Sequence, residues 1–139
     1  MSESARHMRL VSNIVQWIRE SRASEDLCIF VDDPTQSATD KPPNIGGYLP
    51  DVFVKAVARQ PVTIIGEAKT AYDLETNRSE LQLISYLSYL KTAPNPFLVI
   101  STGWAVQRTA KGLLCHLREL SEAPQVKLVF LTEMPPIQC

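Results

Sequence analysis

The 139-residue chain reads as one α/β domain, a mixed central sheet with helices on both faces. Three observations predict this. Apolar residues recur at helical spacing in an early, a middle and a late segment. Two short runs rich in β-branched residues are parted only by a polar break, which suits a hairpin. Beyond the middle helix, helices and strands alternate. The order α-β-β-β-α-β-α-β therefore joins a hairpin-linked set of strands to helix-linked ones, which implies a mixed sheet.

Each element has its own signature. From Ser4 to Arg22, Leu10, Val11, Ile14, Trp17 and Ile18 form the stripe of an amphipathic helix. Leu27 to Val31 is a short apolar strand in which Cys28 is expected to be core. Asp32 to Leu49 is a long loop rich in Pro, Gly, Asn and Asp, of a length that is often functional. Asp51 to Ala58 and Val62 to Thr70 read as strands, with Arg59-Gln60-Pro61 as the turn between them. A second helix spans Leu74 to Lys91 and is ended by Pro94 and Pro96. Phe97 to Ser101 is a strand, and Thr102 is expected to cap a third helix from Ala105 to Leu120. Val106, Ala110, Leu113, Leu114, Leu117 and Leu120 are its expected buried stripe. Val126 to Leu131 is the last strand, and Met134-Pro135-Pro136 is expected to fray. There are no internal repeats and no sign of a second domain, so residues 1–139 are taken as one unit.

Composition removes several classes of function. No apolar run approaches the ~20 residues that a membrane span needs. The segment Met-Ser-Glu-Ser-Ala-Arg-His has no signal-peptide core. Three widely spaced cysteines without a C-x-x-C pair read as reduced thiols in a cytoplasmic protein and argue against a zinc site. A formal net charge of −1 does not by itself call for nucleic acid. Any DNA contact must come from local clusters: Arg6, Arg9, Arg19 and Arg22 on the first helix, and Arg108, Lys111 and Arg118 on the third. Arg6, Arg9 and Lys111 are the leading candidates; the plain alternative for each is a solvated helix face. A nucleotide-binding α/β protein is set aside, because no G-x-G-x-x-G or Walker-type loop is present.

One constellation carries chemistry. Side chains alternate faces along a strand, so Glu67 and Lys69 share a face and Ala68 points the other way. An antiparallel hairpin sets the start of one strand beside the end of the next, so Asp51 lands by Glu67 and Lys69. Gly66 leaves room for close approach of another backbone or a substrate. Taken singly, Glu-x-Lys is a solvated pair worth about 0–1 kcal/mol, and Pro-Asp opens many turns. At hairpin spacing, two acids and a base at one point suit a hard divalent cation and a water that attacks phosphate.

Pro50-Asp51 followed by Glu67-Ala68-Lys69, set in this element order, resembles the PD-(D/E)xK nuclease superfamily, the restriction-endonuclease-like fold. The likeness spans Ser4 to Ser101 and implies an αβββαβ core, to which this chain adds a C-terminal helix and strand. Gln82-Leu83-Ile84-Ser85-Tyr86 also matches the Q-x-x-x-Y signature of RecB-like branches, in the helix where it belongs. Gln82 and Tyr86 lie one turn apart on one face, extended by Glu75, Ser79 and Tyr89. The resemblance implies a Mg²⁺- or Mn²⁺-dependent deoxyribonuclease whose products carry 5′-phosphates. Asp51, Glu67 and the Ala68 backbone carbonyl are the implied metal ligands, with Lys69 placing the attacking water. Gln82 and Tyr86 would hold the water, the lysine or the scissile strand, and Glu75 would support them from behind. The family often draws a further ligand from its first helix; His7 is the first choice here and Glu3 the second, because both extend the Leu10–Ile14–Trp17 stripe. DNA is the expected partner, and a homodimer is the state in which junction resolvases of this superfamily act. The alternative is a non-catalytic or regulatory module that grips nucleic acid or a partner on the same fold.

Overall fold

A computed structural model describes residues 3–22, 27–32, 41–56 and 61–133. Residues 33–40 of the long loop, residues 57 and 58 of the expected second strand, Arg59 and Gln60 of the turn, the Met134-Pro135-Pro136 tail and the Glu3 side chain lie outside the described residues.

The elements are α1 (Glu3–Ser21), β1 (Cys28–Val31), β2 (Val52–Ala56), β3 (Val62–Ala68), α2 (Ala71–Leu74), α3 (Asn77–Leu90), β4 (Pro96–Gly103), a 3₁₀ turn (Trp104–Val106), α4 (Gln107–Leu120) and β5 (Lys127–Glu133). The five strands form one open mixed sheet in the order β1-β2-β3-β4-β5. β1–β2 and β2–β3 pair antiparallel, while β3–β4 and β4–β5 pair parallel. The two parallel crossovers advance in the same direction along the sheet, so right-handed connections leave both on one face. Accordingly α3 and α4 cover one face with Leu83, Tyr86, Leu87, Ala110 and Leu114. The other face belongs to α1, through Leu10, Val11, Ile14 and Ile18. All seven residues of β3 are buried, as a central strand covered on both faces requires.

Several sequence expectations are corrected. Cys28 is exposed, not core: it lies on β1, an edge strand with no more than half-buried positions. The second helix is split. Thr70 ends the strand run and caps the one-turn α2, and Thr76 caps α3, so the long helix begins at Asn77 and not Leu74. Thr102 does not cap α4. It is buried within β4, which runs on to Gly103, and α4 starts after the 3₁₀ turn with no side-chain cap at Val106. Leu120 is 61% exposed; the chain turns at Glu122, with φ 52°, and Ala123 and Val126 fill that corner of the core instead. Trp17 is half-buried and lies beside Phe97 at the edge of the α1 stripe.

The room at Gly66 serves α1. A Cβ there would come 2.7 Å from Ile14 Cγ2 and 3.2 Å from Val52 Cβ. Helix α1 thus rests on the sheet through a glycine, and its first turns reach the C-terminal end of β3.

Candidate active site

Strand register builds the site. Val52 pairs with Gly66, and one step further Asp51 stands beside Glu67. The Asp51 N–H donates to Glu67 Oε1 at 3.1 Å, and the Ala68 N–H donates to Asp51 Oδ2 at 2.9 Å. The Asp51 carbonyl accepts from the Asp32 N–H at 2.9 Å, which ties the junction to the end of β1. Asp51, Glu67 and Lys69 are all buried, at 8%, 3% and 6% exposure. Buried charges persist only when paired and hydrogen-bonded, and these are.

Glu67 and Lys69 share the α3 face of the sheet, as their spacing predicts. Lys69 Nζ lies 3.8 Å from Glu67 Oε2 and donates to Gln82 Oε1. Gln82 Nε2 donates to the Tyr86 hydroxyl at 3.1 Å, and that hydroxyl donates to Glu67 Oε1 at 3.0 Å. Glu67, Lys69, Gln82 and Tyr86 therefore close a ring. The ring fixes the Gln82 amide: an ammonium only donates, so Oε1 must face Lys69 and Nε2 must face Tyr86.

The electrostatics are those of a site with more carboxylate than cation. Burial pushes the Glu67 carboxyl well above its usual range, and the Asp51 charge adds to this, against the pull of Lys69 and Tyr86. Burial, then the Glu67 charge, pushes the Tyr86 phenol far up, so it stays protonated and serves as a donor. On the α1 side, His7 Nε2 meets Asp51 Oδ1 at 3.1 Å. That hydrogen bond raises the His7 pKa, against the opposing effect of partial burial.

The predicted residues divide as follows. Asp51, Glu67, Lys69, Gln82 and Tyr86 come together. His7 joins them from α1 as a hydrogen-bond partner of Asp51. Glu75 does not join. It is exposed at the C-cap of α2, outside α3, and among the described residues it has no hydrogen bond or ion pair to the site. Ser79 extends the Gln82–Tyr86 stripe inward and is buried, whereas Tyr89 packs edge-on against Phe53 at 6.2 Å. Arg6 and Arg9 are exposed on the turns of α1 that flank His7; Arg19 and Arg22 lie at the far end, with Arg22 over the Phe97 ring. Lys111 is exposed on α4. Sequence reasoning missed Asp73, whose charge also raises the His7 pKa. Its signal was legible: Thr70-x-x-Asp73 is a capping box, closed by Asp73 N–H to Thr70 Oγ1 at 3.2 Å, and it places a carboxylate just past Lys69.

Among the described residues no group of three or more His, Cys, Asp or Glu side chains could hold a metal ion on its own. The donors that the structure brings together are the carboxylates of Asp51 and Glu67. Mg²⁺ is commonly bound by one or two carboxylates together with waters and substrate phosphate oxygens. Two buried carboxylates stand there against the one buried ammonium of Lys69, and such a donor set fits a hard divalent cation. Comparison with family models, with curated proteins and with solved structures returned no match for this chain. Among the described residues no helix is long and apolar enough to cross a membrane.

Proposed function

We propose that the chain is a divalent-cation-dependent deoxyribonuclease of the PD-(D/E)xK type, with a restriction-endonuclease-like core running from α1 to β4. The observation that carries this reading is the closed ring of Glu67, Lys69, Gln82 and Tyr86 beside Asp51, in which Glu67 is held at raised proton affinity. A purely structural ion pair has no need of a second buried carboxylate against it.

Asp51, Glu67 and the Ala68 carbonyl would hold Mg²⁺ or Mn²⁺, which when bound acidifies water and offsets charge at the scissile phosphate. The chain's own groups do the rest. Gln82 and Glu67 hold the Lys69 ammonium at one place, where it orients the attacking water or a phosphate oxygen. Tyr86 donates to Glu67 and so keeps Oε1 turned toward α3. His7 and the Ala68 N–H hold the Asp51 carboxylate from two sides. Preorganised groups of this kind need no rearrangement as charge develops.

Plasmid, linear, single-stranded and four-way-junction DNA incubated with Mg²⁺, Mn²⁺ or EDTA test the proposal. Cleavage should require the cation and should vanish in Asp51→Asn, Glu67→Gln and Lys69→Met proteins that still fold. Undiminished cation-dependent cleavage by purified Glu67→Gln protein would overturn it. The competing reading, a non-catalytic binding module, draws on the 3% exposure of Glu67; titration calorimetry that finds no heat of Mg²⁺ binding in the wild type would favour it.

A further inference from the structure

Tyr72 and Trp104 are the most exposed large aromatic side chains among the described residues, at 76% and 60%. Both rings forgo the burial that aromatic side chains normally reach. Their positions are related. Ala68 of β3 and Ser101 of β4 are register partners in the parallel pair. Tyr72 follows Ala68 within the turn that opens α2, and Trp104 follows Ser101 across Thr102 and Gly103. The two rings therefore leave the same ends of neighbouring strands as Glu67 and Lys69, which bracket Ala68.

A second pattern starts at Trp104. Arg108 and Lys111 follow it one and two turns on, and all three side chains are exposed. The first turn of α4 holds no acidic residue. Neither cation has a hydrogen-bond or ion-pair partner among the described residues. A cation in the first turn of a helix, as Arg108 is, sits against its dipole, so helix stability does not account for it. Arg118, further along, is committed to the fold through a 3.1 Å bond to the Val126 carbonyl.

We propose that Tyr72, Trp104, Arg108 and Lys111 form a track for an unpaired DNA strand, with bases stacking on the two rings and phosphates meeting the two cations. Exposed rings beside unpaired cations are the features by which proteins grip single strands without reading sequence. In a duplex the bases already stack on one another, so their faces are closed to Tyr72 and Trp104; an unpaired strand alone uses both parts of the surface. The inference deepens the nuclease reading and rests on it in one respect, because that reading supplies the phosphate from which the strand runs.

The test is fluorescence anisotropy of the full chain with a labelled oligo-dT and with a hairpin duplex, in EDTA so that nothing is cut. The wild type should bind the single strand more tightly and quench Trp104 emission. Trp104→Ala and Tyr72→Ala should each weaken oligo-dT binding by about tenfold and leave duplex binding unchanged, while Trp104→Phe and Tyr72→Phe retain affinity. Arg108→Ala with Lys111→Ala should flatten the dependence of log affinity on log salt by about 1.4. Wild-type affinity for oligo-dT in both alanine variants, equal losses on duplex and single strand, or no single-strand binding would each overturn the proposal. Cleavage of duplex DNA alongside any of those results leaves the nuclease reading standing. Ring-dependent binding with no cleavage under any cation removes the nuclease reading and leaves the track.

Discussion

Gly66→Ala should loosen α1 and with it the brace on Asp51. The new Cβ would stand 2.7 Å from Ile14 Cγ2, 3.3 Å from Ile14 Cδ1 and 3.2 Å from Val52 Cβ. Carbon atoms in good contact lie about 3.5–4.0 Å apart, so Ile14 must retreat by about 1 Å. It has nowhere to go within its own rotamers, because Ile14 and Val52 are completely buried. The helix must lift as a body. Overpacking of this kind costs about 1–3 kcal/mol, and for a domain of this size that lowers Tm by about 4 °C per kcal/mol. Calorimetric unfolding of both proteins measures it. The same lift draws His7 off Asp51, so an NMR titration should find the raised His7 pKa falling back toward that of a free imidazole. Ile14→Ala alone should cost about 2–5 kcal/mol, but the double variant should lose less than the sum, because each change relieves the other. An unchanged Tm in Gly66→Ala, or strict additivity with Ile14→Ala, would refute the argument.

The remaining predictions concern the site. Glu67 binds its proton more tightly folded than unfolded, so in cation-free buffer stability should fall as pH rises from the ordinary carboxyl range of about 4.3 through the raised folded value. Glu67→Gln should therefore unfold at a higher temperature than wild type at about pH 8, with the gap closing toward about pH 5. Mg²⁺ at about one hundred times its dissociation constant should stabilise the wild type by about 2.7 kcal/mol and leave Asp51→Asn/Glu67→Gln unmoved, as thermal scans would register. Tyr86→Phe keeps the ring's shape but strips Glu67 Oε1 and Gln82 Nε2 of a partner; a loss of about 1–3 kcal/mol is expected in denaturant titration. Its cleavage rate should fall by about ten- to a hundredfold with little change in KM, because supporting contacts of a metal site act at that scale.

Much of the site was legible because it follows from period and pairing. Strand alternation set Glu67 and Lys69 on one face, hairpin register brought Asp51 to them, and helical spacing lined Gln82 up with Tyr86. What escaped was what depends on neighbours remote in the chain. Cys28 looks like a core residue by its apolar run, and only its place on the edge strand leaves it wet. Glu75 sits one turn from Ser79 on an uninterrupted wheel, but Thr76 caps α3 and takes Glu75 out of the helix. Gly66 signals close approach without saying what approaches, and Ile14 is the answer.

Local order, then, belongs to the amino-acid sequence: which segments are strands and helices, which way their side chains alternate, and which charged residues can share a face. Tertiary packing alone decided that α1 would press on Gly66 and set His7 on Asp51, that Tyr86 would close a ring on Glu67, and that burial would push the proton affinity of this carboxyl up. The physical reason is range. Side-chain direction repeats within a few residues, whereas burial and electrostatic potential are sums over every group that the fold brings near.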